Sequence, residues 1–528
     1  MRQAQYQPRS PPKKPGIYLL DDDFDMFMTN PRNAPLHKED YIVLEEDAIL
    51  PGGAVSLLSK DAIAIFIQYT AVGVIYGGIA ALSFPLIKIY FGAQGYQTRA
   101  YNTLVNIPWS FKLFMGALSD CVPICGLRHK PWILIGWFIC LVSLIVLACL
   151  SPGETSLTTK VPNDHLSTYT LLSIVASFGY VMSDCASDAL VVTYAMREPL
   201  AIRGRMQTAI YTCRTVGEIF SYLLVGILLN SPKFGGQFDF SIAINVIYII
   251  LCIPCAMAMA SACIIITEHK TETVPFRKWI RQFWQFLQKQ AMWQVLAFRF
   301  ISNIFQNFDS VAVSPMGQYW AKVQPFMDGI TKVIGRVFYT MVLGRNSLQL
   351  PTGVRFIVSA FVATELADLG NEGAVYGLVT TVSNLASHVS SAFYKFVDGF
   401  FELQDASFQL EKNTTSTDVR NHIRWQVSYS FIVAYGMKLF ALVWLVLLPP
   451  QKAHVQRLKR YGMVSRLAGG LSMFLFGCFL TFSVFTNLAS IFDATSWWRR
   501  RPTHYQTTND HYKVSQATIN ALQPPSVD

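Results

Sequence analysis

The chain has 528 residues, of which 52% are hydrophobic and only 14% are charged, and its mean hydropathy is +0.33. A soluble protein carries roughly a quarter charged residues, so this composition excludes an ordinary soluble globular protein and predicts an integral, multi-pass membrane protein. The net charge of +10 is typical of basic cytosolic loops, and the sequence contains no combined aromatic and basic module of the kind that binds nucleic acid.

The sequence lacks the signatures of enzymes and metal sites. Most of the ten cysteines lie inside apolar runs, and the CxxC pair of Cys252 and Cys255 has no second pair or nearby histidine to complete a zinc site. The chain contains no HExxH, no GxSxG and no phosphate-binding loop. We therefore expect a protein that is not an enzyme and that holds neither a metal nor a cofactor.

The chain begins with a polar segment, residues 1–59, whose prolines and acids predict a mostly disordered cytosolic tail without a signal peptide. Six apolar segments follow, each long enough to cross a hydrocarbon core of roughly 30 Å as a helix. They predict an N-terminal six-helix bundle over residues 60–267, with spans near 62–91, 99–119, 132–150, 166–194, 206–230 and 242–267.

A basic, aromatic linker, residues 268–290, separates this bundle from a second set of spans. Six spans followed by a long linker and further spans suggest two repeats, so the predicted fold class is an all-α polytopic membrane protein of the two-bundle, major-facilitator type. The predicted C-terminal helical bundle covers 291–492 and precedes a polar tail, 493–528, with spans near 291–312, 328–344, 354–368, 373–398, 427–448 and 467–492.

Basic residues set the predicted orientation of the first bundle. The loops 120–131, 195–206 and 268–290 contain ten lysines and arginines, whereas the opposite loops contain only Lys160 and Lys233. Cytosolic loops are enriched in lysine and arginine, so this alternation predicts a cytosolic N-terminus. It does not distinguish the plasma membrane from an organelle membrane.

The loop "GALSDCVPICGLRHKPW", residues 116–132, resembles the Gly-x-Leu-x-Asp…Gly-x-Arg-x-Lys loop of the major facilitator superfamily. Asp120, at a helix end, could pair with Arg128 or Lys130 and latch the two halves of the protein in one conformation. The alternative is that these basic residues only anchor the loop on the cytosolic side.

Charged residues also occur inside the predicted spans. Asp184 lies about ten residues from the cytosolic end of span four, and Arg214 lies about eight residues into span five. Both therefore sit roughly 12–15 Å deep, where adjacent antiparallel helices could pair them. The same depth recurs for Lys112, Arg299 and Arg336.

Four cations at one level in four helices predict a midplane cavity that holds an anion, because intramembrane charges normally face a bundle interior or a water-filled cavity. The alternative is that all of these charges form neutralised structural pairs. Asn303, in span seven, could supply a hydrogen bond to a substrate.

Two further carboxylates lie one helical turn from these charges. Asp188 and Glu218 share a helix face with Asp184 and Arg214 respectively, and we predict that they bind protons or act in a gate. Asp188 lies nearer the cytosol, where a gate would pair it with Arg203 or Arg205.

Several stretches resemble the folate–biopterin transporter family, and the resemblance covers most of residues 60–492. They are "SFPLIKIYF…RAYNTLVNIPWSFKLFMGALSDCVPICGLRHKPWILIGW", "SDCASDALVV", "RGRMQTAIYTCRTVGEI", "GNEGAVYGLVTTVSNLAS" and "RYGMVSRLAGG". The resemblance implies a major-facilitator-type carrier of folates or pterins in a lipid bilayer, driven by protons.

That substrate class suits the predicted site. The two carboxylates of a folate glutamate tail would bind the arginines or Lys112, and the adjacent N–H donors of a pterin ring would bind Asp184 or Asp188. The candidates for stacking on the ring are Trp109, Tyr180 and Tyr211.

The join "YTMVLGRNSLQLPTGVRFIVSAF", residues 339–361, departs from the family, in which a further span separates its two parts. By alignment of the repeats the ninth span is missing, and 467–492 is extra. This points either to an imperfect gene model or to a shortened variant, which makes a transport-impaired membrane scaffold or regulator the alternative function. A channel is a further alternative and would predict pore-lining rings.

The missing span leaves the topology of the second half open. With that span present, 399–426 would face outside, which fits the glycosylation sequon at Asn413, and the basic loop 450–466 would be cytosolic. Without it both assignments invert. The basic residues Arg499–Arg501 favour the inverted arrangement, so the side of the C-terminal tail is not determined.

Overall fold

The structure, a computed structural model, describes most of the chain between residues 53 and 489. The ranges are 53–93, 95–152, 163–199, 202–234, 238–268, 270, 275–312, 362–367, 370–401, 403, 407–408, 410–411, 416–449 and 452–489. Over these ranges every element is helical, apart from two isolated β-bridges, so the all-α prediction is confirmed. Arg336, Asn413, the join near 345–355, most of the N-terminal tail and the C-terminal tail lie outside the described residues.

Between residues 53 and 268, the part of the first half that the structure describes contains seven α-helices. They are α1 (Lys60–Leu82, continued by a π-helix over Ser83–Tyr90), α2 (Gly95–Leu104), α3 (Lys112–Cys121), α4 (Lys130–Cys149), α5 (Asn163–Met196), α6 (Arg205–Leu228) and α7 (Ile244–Ile264). Short 3₁₀ segments cover Ile107–Phe111 and Pro232–Phe234.

The described part of the linker and the second half adds further helices of ten residues or more. They are α8 (Phe276–Leu287), α9 (Gln290–Gln306), α10 (Glu372–Asp398), α11 (Thr417–Phe440, continued as 3₁₀ over Ala441–Leu447), α12 (Lys452–Tyr461) and α13 (Arg466–Ala489). One hydrophobic core is built from residues between 62 and 266, and a second draws mainly on residues between 279 and 476. The predicted domain boundaries stay predictions.

Six helices of the described part are long and apolar enough to cross a membrane. Their outer faces are apolar too: along α7, Ile249, Ile253 and Met257 follow one another at one-turn spacing and are each more than half exposed. The chain is therefore an integral, multi-pass membrane protein. The six are Lys60–Tyr90, Lys130–Cys149, His165–Met196, Ile244–Ile264, Thr417–Leu447 and Arg466–Thr486.

The second predicted span, near 99–119, is not one continuous helix. It is interrupted between α2 and α3 by the 3₁₀ segment Ile107–Phe111, which has Pro108 near its start. Proline has no N–H to donate and its ring clashes with the preceding turn, so it interrupts the α-helical ladder. The interruption places Trp109 and Lys112 at the break.

The basic loop 450–466 lies on the same side of the membrane as the linker. The Ser465 N–H donates to the Gln288 carbonyl at 2.9 Å, and the Gln290 N–H donates to the Met463 carbonyl at 2.9 Å. Direct backbone contact between these segments joins the start of α13 to the end of the linker. Of the two topologies that the sequence left open, this contact agrees with the one in which 450–466 faces the cytosol with the linker.

Helices α1 and α6 pack with their backbones in close contact. A Cβ added at Gly73 would lie 2.0 Å from the Arg214 carbonyl oxygen, and one added at Gly217 would lie 2.5 Å from the Thr70 carbonyl oxygen. Helices in membranes approach this closely only where small residues face each other. This contact fixes the position of Arg214 relative to α1.

Replacing Gly73 should therefore destabilise the protein. We expect Gly73→Ala to lower the free energy of unfolding by about 1–3 kcal/mol, because the new methyl group meets backbone that cannot move away. The matched control is Gly436→Ala in α11, where an added Cβ meets nothing within 4 Å. Thermal unfolding of the two purified variants in detergent measures the difference, and equal melting temperatures would contradict it.

Candidate functional site

A buried lysine and two buried aspartates form the centre of the site. Lys112 begins α3 immediately after the break, and its ammonium lies 2.7 Å from Asp184 and 2.6 Å from Asp188. The two aspartates are four residues apart on α5 and so share one helix face. All three residues are at most 3% exposed. The ammonium lowers the cost of burying two carboxylates that no water reaches.

The four carboxylate oxygens of Asp184 and Asp188 do not all accept a hydrogen bond. One oxygen of each aspartate binds Lys112, and Oδ1 of Asp188 also accepts from the hydroxyl of Tyr69 on α1. Oδ1 of Asp184 is buried and accepts no hydrogen bond from any described residue. A free carboxylate oxygen in a buried position can accept from a donor on a ligand.

Arg214 does not pair with Asp184, so the predicted ion pair is wrong. Its guanidinium lies over the Trp109 ring at 4.5 Å from the centroid and near Tyr76 at 5.6 Å, and Lys112 lies 5.1 Å from the same Trp109 centroid. The reason is the break in the second span, which places Lys112 beside both carboxylates, so that they bind Lys112 instead of Arg214. Within the described part of the chain Arg214 makes no hydrogen bond or ion pair, although rings surround it.

Tyrosines from both halves meet beside the site. The hydroxyls of Tyr211 on α6 and Tyr376 on α10 are hydrogen-bonded to each other. Tyr211 also packs edge-to-face on Tyr69, and the Lys112 ammonium lies 5.9 Å from the Tyr376 ring centroid. Tyr180, a predicted stacking residue, packs against Trp109 at 6.0 Å between ring centroids.

Helix α10 satisfies backbone groups that the break in the second span leaves free. Asn384 donates to the Trp109 carbonyl at 3.1 Å, and the Thr381 hydroxyl accepts from the Leu113 N–H at 3.2 Å. Unsatisfied backbone groups are costly inside a bilayer, so a broken helix needs such partners. A Cβ added at Gly377 would lie 2.6 Å from the Lys112 carbonyl oxygen, which shows how closely α10 approaches α3.

The other predicted substrate residues lie on α9 or outside the described residues. The side-chain amide of Asn303 donates to Ser383 at 2.7 Å. Arg299 is buried on α9. A role for Asn303, Arg299 or Arg336 in an anion site stays a prediction.

A polar cluster connects the two halves at the linker side of the molecule. Asp120 accepts from Arg128 at 3.2 Å and from the Ala374 N–H at 2.8 Å, at the start of α10. Arg128 also binds Glu372 at 3.0 Å. A carboxylate at a helix N-terminus is favourable. Lys130 does not join this cluster, because its ammonium donates to the carbonyls of Cys263 and Ile266 at 2.9 Å.

His129 lies next to this cluster and is nearly fully buried. Burial and the neighbouring Arg128 lower the pKa of His129 to about 3. Burial opposes ionisation of Arg128, but the carboxylates of Glu372 and Asp120 outweigh it and raise the pKa of Arg128. Donor atoms of Asp120, His129 and Glu372 lie within 4.8 Å of one another, but Arg128 already binds both carboxylates, so an ion-pair latch describes this cluster better than a metal site.

A second cross-half contact involves Arg203, which does not pair with Asp188. Arg203 binds Glu365 at 2.8 Å, and Gln456 on α12 donates to the same carboxylate at 2.6 Å. Arg205 lies 3.6 Å from Glu198. In this structure Asp188 binds Lys112 and neither arginine, so a gate between Asp188 and Arg203 or Arg205 stays a prediction.

Glu218, the other predicted proton carrier, is partly buried on α6. Among described residues it makes no hydrogen bond or ion pair. Its proposed role therefore has no geometric support beyond its position one turn from Arg214.

Residues of these clusters that sequence reasoning missed include Tyr69, Tyr76, Glu365, Glu372 and Tyr376. Glu372 and Tyr376 lie inside the quoted stretch "GNEGAVYG", and Pro108 was a visible signal for the break. No sequence pattern indicates which helix faces Tyr69 or Tyr76.

Comparisons with known proteins give a consistent picture. The sequence profile of the BT1 family matches residues 77–342. "Probable folate-biopterin transporter 4" of Arabidopsis thaliana is 29% identical over 127 residues, or 24% of each chain. The "Folate-biopterin transporter" of Synechocystis sp. is 23% identical over 389 residues, covering 63% of this chain and 73% of that protein.

The matched stretch spans about a quarter of the length of the Arabidopsis relative. Among solved structures, a D-xylose-proton symporter aligns with 82% of this chain and 97% of its own, at 13% identity and a TM-score of 0.37. A similarity at that level carries no argument about fold or function.

Removing the Lys112 ammonium should leave two carboxylates buried without a cation. We expect Lys112→Met to destabilise the protein by about 3–5 kcal/mol, the cost of breaking a buried ion pair from one side. The triple variant Lys112→Met, Asp184→Asn, Asp188→Asn removes all three charges and should recover most of that loss. Thermal unfolding in detergent compares the stability of the two variants with that of the original chain. If Lys112→Met were as stable as the original chain, the ion-pair assignment would be contradicted.

Proposed function

Because the chain belongs to the BT1 family, we propose that it is a secondary transporter that carries folates or pterins across a membrane. The names of its relatives in Arabidopsis and Synechocystis support this substrate class. The observation that carries the proposal is that the site contains both a cation without an anionic partner and a carboxylate oxygen without a hydrogen-bond donor, among the described residues. Arg214 lies on the Trp109 ring without an anionic partner among described residues, and Asp184 keeps one buried oxygen unoccupied.

These two groups suit the two ends of a folate. The carboxylates of the glutamate tail would bind the Arg214 guanidinium, which can donate two parallel hydrogen bonds to one carboxylate. An N–H of the pterin ring would donate to the free oxygen of Asp184. A pterin without a glutamate tail would use the second contact alone.

Charge balance in the site supports coupling to protons. When ionised, Lys112 and Arg214 carry two positive charges, which cancel those of Asp184 and Asp188. A proton on Asp188 leaves one net positive charge, which one carboxylate of a bound substrate would neutralise. A proton and one substrate carboxylate would therefore enter the buried site together at lower cost than either alone.

Alternating access would require the cross-half contacts to open. Asp120 binds the start of α10, Arg203 binds Glu365, and Tyr211 meets Tyr376, all on or toward the linker side of the site. We infer a carrier closed on that side, in which separating α3 from α10 would open the site to the cytosol.

Neutralising Arg214 should separate the two substrates. We expect Arg214→Gln to reduce folate uptake about tenfold or more, the usual loss for a charge-assisted contact, and to reduce biopterin uptake much less. Uptake of labelled folate and biopterin by uptake-deficient cells measures this, with surface expression checked and Arg214→Lys as the charge-conserving control.

Equal losses of folate and biopterin uptake at normal surface expression would contradict the role of Arg214. No uptake of either substrate by the unaltered chain at normal surface expression would instead favour a membrane scaffold or regulator.

Neutralising Asp188 should separate transport from the proton gradient. We expect Asp188→Asn to make folate uptake insensitive to external pH, because a permanently neutral side chain mimics the protonated state. Initial uptake at an acidic and a neutral external pH measures this, with Glu218→Gln as the comparison. If Glu218→Gln abolishes the pH dependence and Asp188→Asn preserves it, the proton carrier is Glu218.

A further inference from the structure

The linker helix α8 has two adjacent apolar stripes, and the residues that the structure describes cover only one of them. Trp279, Phe283 and Phe286 are buried against the second core, and the Trp279 indole donates to the Gly370 carbonyl at 3.0 Å. A second apolar stripe recurs every turn and stays exposed: Phe276 is 60% exposed, Ile280 49% and Trp284 39%. Exposed apolar stripes of this kind mark a contact surface.

The position of α8 indicates what covers that stripe. A Cβ added at Gly470, in the first turns of α13, would lie 3.9 Å from the Trp284 ring. α13 is a membrane span whose residues Leu467 and Phe474 are 82% and 67% exposed, so they face lipid. Trp284 therefore lies where a span meets the bilayer surface, the depth at which tryptophan is enriched.

Basic residues border the exposed stripe. Arg277 and Arg281 are exposed, lie one turn apart, and follow Ile280 and Trp284 around the helix, whereas Lys278 lies on the far side. Neither arginine makes a hydrogen bond or ion pair with any residue that the structure describes. An apolar stripe edged with unpaired arginines is the pattern of a helix that lies in the surface of an anionic bilayer.

We propose that α8 lies in the membrane surface and that Arg277 and Arg281 bind the phosphate of an anionic phospholipid, with Ile280 and Trp284 inserted among the acyl chains. Two guanidiniums one turn apart can bind one phosphate from the same side. This lipid site is independent of the cluster formed by Lys112, Asp184 and Asp188, and it does not rest on the proposed transport function.

The experiment uses the full chain in liposomes of phosphatidylcholine with a minority of phosphatidylglycerol. A benzophenone amino acid is incorporated at position 280, and in a matched protein at position 282, where Gln282 is exposed away from the stripe. After illumination, mass spectrometry identifies the adducts. We expect phospholipid adducts at position 280, in which phosphatidylglycerol is enriched about fivefold over its share of the bilayer, and few adducts at 282.

Two double variants, each made in the protein labelled at position 280, test the arginines. Arg277→Gln with Arg281→Gln should return the phosphatidylglycerol share of the adducts to that of the bilayer, whereas Arg277→Lys with Arg281→Lys should keep most of the enrichment. Lys278→Gln, on the far side, should leave it unchanged.

Three results would overturn the proposal. They are adducts at 280 to protein rather than lipid, equal labelling at 280 and 282, and a phosphatidylglycerol share at 280 equal to that of the bilayer in the unaltered protein. The first would assign the stripe to a segment of this chain or to a partner protein.

Discussion

The burial of the Lys112 ammonium between Asp184 and Asp188 is the interaction on which the rest of the structure depends. A charge buried inside a membrane protein is tolerated only with partners, and both ion-pair partners here come from α5, which is distant from α3 in sequence. The ion pairs bring α3 against α5, Tyr69 adds α1 through Asp188, and the rings beside Lys112 add α10. A cluster with two negative charges against one favours a second cation nearby, and Arg214 lies over the same Trp109 ring as Lys112.

The break in the second span is what makes that cluster possible. In a continuous helix over 99–119 the backbone N–H and carbonyl groups would bind one another. Hydrogen bonds from Asn384 and Thr381 would then not be needed. With the break, the free carbonyl of Trp109 and the free N–H of Leu113 bind α10, so the two halves are joined at the same place where the charges lie. Discontinuous helices near the midplane are a recurrent way for transporters to combine backbone and charge at one site.

The proximity of these charges could be predicted from the sequence, but direction around the helix could not. Counting residues from the helix ends placed Lys112, Asp184 and Arg214 at one level, and in the structure Lys112 binds Asp184 while Lys112 and Arg214 both lie over the Trp109 ring. The same count paired Arg214 with Asp184, because it could not show that the break turns Lys112 toward both aspartates. Glu365 and Glu372 were missed for another reason: their partners lie 162 and 244 positions away in sequence, and no periodicity reports contacts at such separations.

The glycine contact between α1 and α6 has a consequence for recognition in the proposed transport cycle. Backbones that touch at Gly73 and Gly217 cannot slide past each other, so Tyr69, Tyr76 and Arg214 travel as one rigid unit. The part of the site that would bind a substrate's charge would then keep one shape as the proposed carrier changes conformation. A difference in affinity between the two faces of the membrane would then have to come from α10, whose Tyr376 either meets that unit or withdraws from it.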